Sequence, residues 1–168
     1  MIKNKGILYI CCGVPGSGKS TFLNEMADPS EKIISRDNIR FSLLKPGENY
    51  FSHEKEVYST FVKSITDSIN NGFNTYADAT HLNEYSRYKL FHALKNRGCH
   101  PLKKVAIYFE VPLNICKERN NNRFGTKTYV PEEDLVKMYG NFVHPHKYEG
   151  FDEIYRVNED GDVDEVEE

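Results

Sequence analysis

The 168-residue sequence is long enough for one domain with a buried core, and it holds no apolar run that would cross a membrane. Its formal net charge is −3, yet residues 159–168 carry seven acidic and no basic side chains; the remainder sets 22 basic against 18 acidic groups, a net of +4. A mildly basic body accommodates polyanions without proving that it binds nucleic acid. The acidic end reads as a solvated, disordered tail behind a domain of residues 1–158. The start, MIKNKG, has no signal-peptide pattern. Cys11, Cys12, Cys99 and Cys116 lack metal-site spacing and read as small buried thiols of a reduced, cytoplasmic protein.

Residues 6–12 contain the continuous apolar run Ile7 to Cys12, the pattern of a parallel strand covered on both faces; Cys11 and Cys12 then point to opposite faces. Gly13 to Ser20, GVPGSGKS, fits the phosphate-loop spacing. Gly13, Gly16 and Gly18 free the backbone to curl its N–H groups around an anion, with Val14, Pro15 and Ser17 between them. Lys19 adds a charge for the β- and γ-phosphates, and Ser20 offers a hydroxyl to Mg²⁺. A helix over 19–27, including Thr21, aims its positive end at the same place. This combination predicts ATP as ligand, with Mg²⁺.

Asp28-Pro29-Ser30 is a turn, and Lys32-Ile33-Ile34 a short second strand. Ser35 caps the next helix, on which Asp37 and Arg40 share a face beyond the carboxyl end of that strand, where open α/β sheets bind ligands. A carboxylate there suits proton removal from an attacking hydroxyl, and an arginine suits the grip of an acceptor phosphate. Val57, Phe61, Ile65 and Ile69 mark a helix over 53–71, closed by Asn71-Gly72. Residues 73–77 read as a third strand, ending at Asp78, a site residue expected to support Arg40 or to help hold the metal. Thr80 and Asn83 are weaker acceptor-side candidates; His81 reads as a surface loop residue.

The next helix covers 83–97, with Tyr88, Phe91 and Leu94 expected inside and Arg87, Lys89, Lys95 and Arg97 expected on a solvated face rather than in a nucleic-acid groove. Residues 105–109 form a fourth strand, and Pro112 opens a helix that dissolves into the polar run Arg119 to Lys127, with the composition of a mobile lid. Arg119 and Arg123, four apart, can face the nucleotide phosphates together, Arg123 stabilising the charge of a moving phosphoryl group. Pro131 opens a further helix with Leu135, Val136, Tyr139 and Phe142 as its apolar side. His144 and His146 lack a third ligand and read as loop; residues 151–157 supply a fifth strand. Asp160, Asp162 and Asp164 alternate like a Ca²⁺ loop, but the glycine and final glutamate are misplaced for one. The expected architecture is a three-layer α/β P-loop NTPase fold with a mostly parallel five-stranded sheet and a helical or loop lid.

GVPGSGKST at 13–21, SRDNIR at 35–40, DATHLN at 78–83 and ERNNNRFGTK running on to VPEEDLVKMYG together resemble the kinase domain of bacteriophage polynucleotide 5′-kinase. The blocks agree in order and rough spacing up to about residue 157. The resemblance implies transfer of the ATP γ-phosphoryl group to 5′-hydroxyl ends of DNA or RNA. It implies Asp37 as general base, Arg40 on the acceptor phosphate, Asp78 in support of the acceptor site, and Arg119 and Arg123 on the donor phosphates. Two features depart from that family: 168 residues leave no room for a second, 3′-phosphatase domain, and Phe124 is an extra residue between Arg123 and Gly125. Small P-loop kinases also act on metabolites and nucleotides, so a small-molecule kinase is one alternative; a non-catalytic, ATP-dependent binding module is another.

Overall fold

A computed structural model describes residues 5–167. Among them the chain runs β1 (Leu8–Cys12), α1 (Lys19–Met26), β2 (Lys32–Ser35), α2 (Arg36–Leu43), α3 (Glu54–Asn70) and β3 (Thr75–Asp78). It continues with α4 (Glu84–Asn96), β4 (Lys104–Phe109), α5 (Leu113–Asn121), α6 (Glu132–Gly140), a 3₁₀ turn at Lys147–Glu149, β5 (Glu153–Val157) and β6 (Val163–Glu165). The strands form one sheet in the order β2-β3-β1-β4-β5-β6, parallel throughout except for the β5–β6 pair.

Strand alternation distributes the core. Leu8, Ile10 and Cys12 of β1 face α3 and α4, where they meet Phe61, Ile65, Ile69, Leu90 and Leu94. Cys11 turns the other way, into a smaller cluster with Leu23 of α1, Ile107 and Phe109. A third cluster of Val14, Val111, Cys116 and Leu135 fastens the loop after β1 to α5 and α6. Helices therefore cover both faces, as central parallel strands require.

The fold matches the expected α/β class, with one strand more. The acidic end is not simply a tail: β6 pairs with β5 in the register Tyr155↔Glu165, Arg156↔Asp164 and Val157↔Val163. Asn158 turns the chain by accepting at Oδ1 from the N–H groups of Asp160 and Asp162, and Gly161 takes φ +83°. Arg156 then offsets part of the acidic charge through Asp164 and Glu110.

Three expectations about side chains are also corrected. On α4 the buried stripe is Arg87, Leu90 and Leu94, while Tyr88 is exposed. Arg87, expected in solvent, is fully buried because all of its donors find partners elsewhere in the fold, chiefly Glu149. His81 is buried too, and donates from Nδ1 to the Cys11 carbonyl at 2.6 Å. On α6, Leu135 alone is buried, and Val136 and Tyr139 are exposed.

Candidate active site

The carboxyl ends of β1, β3 and β2 lie side by side, with Cys11, Asp78 and Ser35 in register. The loop after β1 turns sharply into α1 through Gly16 and Gly18, at φ +81° and +92°. A Cβ on Gly16 would stand 2.5 Å from the Cys116 carbonyl oxygen, so α5 leaves no space for a side chain there. No side chain caps α1, which leaves its first-turn N–H groups directed at the loop's concavity. The buried Ser17 Oγ has no hydrogen-bond partner. Lys19 Nζ donates to the carbonyls of Gly13 at 2.8 Å and Val14 at 3.1 Å. Enclosure pulls its ammonium below the usual lysine range, while Asp78 pulls it back.

Ser20 Oγ donates to Asp78 Oδ2 at 3.2 Å. Burial raises the Asp78 carboxyl above its ordinary range, Lys19 and Ser20 oppose that shift, and Asp37 adds to it. Thr80 contributes through its backbone, its carbonyl accepting from the Gly13 N–H at 2.9 Å. Asn83 serves α4 as a cap, accepting from the Ser86 N–H at 2.8 Å, rather than facing an acceptor.

Asp37 and Arg40 meet as the spacing predicts, in a larger cluster. Arg40 Nη1 donates to Asp37 Oδ1 and to the Tyr50 hydroxyl, and Tyr50 itself donates to Asp37 Oδ1 at 2.6 Å. On its other side Arg40 grips Glu54 through Nε and Nη2 at 2.7–3.1 Å. Arg36 Nη2 joins the same carboxylate at 2.5 Å. The Arg40 side chain is only 6% exposed and that of Asp37 51%. Glu54 thus takes the supporting position expected of Asp78, which stands with the phosphate loop instead. Glu54 and Tyr50 have no local signature linking them to Asp37; Tyr50 lies in a loop and Glu54 opens α3.

The lid is more tightly held than its composition predicts. Asn120, fully buried, donates from Nδ2 to the Val130 carbonyl at 2.6 Å and accepts from the Val130 N–H at 3.1 Å, closing the loop between them. Arg119 donates to the Gly16 carbonyl at 3.4 Å and to the Glu159 carbonyl at 2.9 Å, bracing the phosphate loop against the β5–β6 turn. Arg123 sits close enough to Lys19 to disfavour its charge. Phe124 is exposed, edge-on to Tyr129, and Lys127 lies over the Phe41 ring of α2 at 4.9 Å.

The family described as AAA domain matches residues 8–145, most of the chain and every element from β1 to α6. The chain belongs to this family. An Arabidopsis thaliana protein named transcription factor bHLH140 is 25% identical over 166 residues, which span 96% of this chain and 17% of that protein. A chain of the Pnkp1/Rnl/Hen1 RNA repair complex aligns with TM-score 0.70 and 21% identity, over 82% of this chain and 44% of that one. A fungal RNA kinase aligns with TM-score 0.64 and 15% identity, over 94% and 76%. A sugar kinase from Janibacter sp. HTCC2649 has the same score and identity, over 93% and 86%. This chain spans less than half of the first two proteins, and at these identities the structures speak to the fold alone.

Within the AAA-domain fold the groups present fit ATP with Mg²⁺. The glycine cradle, the uncapped α1 and the unpartnered Ser17 hydroxyl suit phosphate oxygens. Ser20 and Asp78 are oxygen donors of the kind Mg²⁺ takes beside nucleotide phosphates. No helix among the described residues is long and apolar enough to cross a membrane.

Proposed function

We propose that this chain is a phosphotransferase that moves the γ-phosphoryl group of ATP onto the 5′ hydroxyl of a DNA or RNA end. The observation that carries the reading is the half-exposed Asp37 carboxylate, fixed by Arg40 and Tyr50 at the end of β2, beside the phosphate loop. The four-block resemblance to polynucleotide kinases supports it, as does a shared fold with an RNA kinase and an RNA repair complex.

Bound Mg²⁺·ATP supplies the phosphoryl group and the charge that neutralises its oxygens. The N–H groups of Gly16, Gly18, Lys19, Ser20 and Thr21, with the Lys19 ammonium, would hold the phosphates, Ser20 is the metal-side hydroxyl, and Asp78 orients Ser20. Asp37 receives both of its hydrogen bonds at Oδ1, leaving Oδ2 to accept the proton of the attacking hydroxyl. Arg40, buried and occupied by Glu54, acts through Asp37 as a positioning residue. Arg123 steadies the charge on the transferred group, and Arg119 braces the loop. A carboxylate removes a hydroxyl proton only weakly in the ground state, so orientation and electrostatics carry most of the rate.

The test is transfer of labelled γ-phosphate from ATP to 5′-hydroxyl DNA and RNA oligonucleotides. Lys19→Ala and Asp37→Ala are each expected to lower turnover by about a hundredfold or more with the fold intact. Near-normal turnover by Asp37→Ala would refute its role as base. ATP binding with no labelled oligonucleotide would favour the metabolite kinases that share this fold, a sugar kinase and a gluconokinase among them. ATP binding with no product from any acceptor would favour a binding module.

A further inference from the structure

A cavity of ≈ 190 Å³ lies between α3 and α4, and its lining includes Arg36, Tyr58, Thr80, Tyr85, Ser86 and Lys89 beside the buried Phe61, His81 and Leu90. Two cations converge on the Tyr58 ring: the Arg36 guanidinium carbon at 5.2 Å from its centroid and Lys89 Nζ at 4.6 Å. Two polar atoms buried there, Arg36 Nε and the Tyr58 hydroxyl, have no hydrogen-bond partner. An unpartnered buried donor costs about 1–3 kcal/mol, so a wall that keeps two of them beside paired cations is built for an oxygen-rich anion. Tyr85, 73% exposed, stands at the rim and offers an aromatic face. Beyond Tyr85 the lining changes sign: the adjoining cavity is formed by Glu84, Tyr85, Tyr88, Tyr148 and Glu149.

We propose that this cavity is the subsite for the next nucleotide of the acceptor strand: the phosphodiester on its 3′ side lies between Arg36 and Lys89, and its base stacks on Tyr85. The inference rests on the polynucleotide reading above and deepens it. Arg36 directly precedes Asp37 in the first turn of α2, so the cavity begins where the reacting end is held. Arg40 cannot supply this contact, because Glu54, Asp37 and Tyr50 occupy its guanidinium; Arg36 gives Nη2 to Glu54 but keeps Nε unpartnered. Among the described residues Lys89 makes no ion pair and reaches only the Tyr58 ring; the acidic wall past Tyr85 ends the anion path there. Lys89 is exposed, as the sequence predicts, and in this reading its solvated face borders the acceptor cleft.

The experiment compares wild type, Lys89→Ala and Tyr85→Ala on a short 5′-hydroxyl oligonucleotide and on a nucleoside 3′-monophosphate, which ends before the subsite. Anisotropy of a dye-labelled oligonucleotide against salt is the second readout. For both variants the ratio of kcat/KM for oligonucleotide to that for mononucleotide is expected to fall about tenfold. Lys89→Ala is expected to reduce the salt slope of binding by about 0.7, one phosphate contact on a single strand. Oligonucleotide phosphorylation with unchanged ratio and slope in both variants overturns the subsite and leaves the polynucleotide reading standing. Absence of transfer to any nucleic acid by ATP-binding wild type overturns that reading and the subsite with it. Thermal unfolding of the variants guards against misfolding, since both side chains are largely in solvent.

Discussion

Acidification through the titration range of His81 gives a stability change whose sign follows from its burial. Burial holds this imidazole down to about 4, and the nearby charges of Arg36, Arg87 and Lys19 push the same way. The Nδ1 bond to the Cys11 carbonyl opposes them. In an unfolded chain the same group titrates near ~6.5. As pH falls, the unfolded chain therefore takes the proton first. The stability due to neutral His81 is whole above pH ~6.5 and drains away as pH approaches about 4. By pH ~4.5 the loss is about 2.5 kcal/mol, a large part of a domain's typical ~5–15 kcal/mol. The assay is urea unfolding of wild type and His81→Asn near neutrality and near pH 4.5. Asparagine suits the φ of +42° at this position and retains a donor for Cys11, but it does not titrate. The gap between the two proteins should shift by about 2 kcal/mol or more in favour of the variant on acidification. A gap that stays constant within ~0.5 kcal/mol would refute a buried, neutral His81. The consequence reaches the site, because the preceding residue, Thr80, holds the Gly13 N–H that starts the phosphate loop.

Arg87→Ala should cost about 3–5 kcal/mol, because it strands the Glu149 carboxylate, whose side chain is only 8% exposed. Glu149→Ala should then cost less in the Arg87→Ala background than in wild type, and additive costs in a double-mutant cycle would show that the pair is not coupled. Asn120→Ala should leave the Val130 N–H and carbonyl without their partner, loosening the segment between residues 121 and 130. Hydrogen exchange there should quicken and the KM for ATP should rise; unchanged exchange would show that the lid is pinned by something else.

The donor half of the site was legible because it is local. Eight consecutive residues, Gly13 to Ser20, specify the turn, the lysine and the hydroxyl, and the apolar run before them specifies the strand. Asp37 and Arg40 were legible for a similar reason, since helical spacing alone puts residues three apart on one face. What holds Arg40 was not legible: Glu54 lies fourteen positions away and becomes its partner only when α3 packs beside α2. Arg87 shows the same limit more sharply, because its burial depends on acceptors near Val143, His144 and Glu149, 56 to 62 residues distant. An arginine on a helix otherwise reads as solvent-facing. For β6 a signal was present and outweighed: Asn158, Asp160 and Gly161 are turn residues between two short runs, but seven acidic side chains read as a tail.

The two carboxylates at the cleft divide their tasks by environment rather than by type. Asp78 is enclosed at the end of β3, bonded to Ser20 and within the field of Lys19, so its charge is committed to the phosphate loop. Asp37 sits one strand further out, half exposed, with one oxygen anchored by Arg40 and Tyr50. Asp37 raises the electrostatic cost of charge on Asp78, adding to the effect of burial. The strand order β2-β3-β1 sets this arrangement, because it places the end of β3 between the phosphate loop and the cluster at the end of β2. The proposed transfer therefore assigns the proton of the attacking hydroxyl to Asp37 and keeps Asp78 with the phosphate loop. Under the proposed function Arg40 acts from where it is, buried between Glu54 and Asp37, by anchoring Oδ1 and leaving Oδ2 for the acceptor hydroxyl.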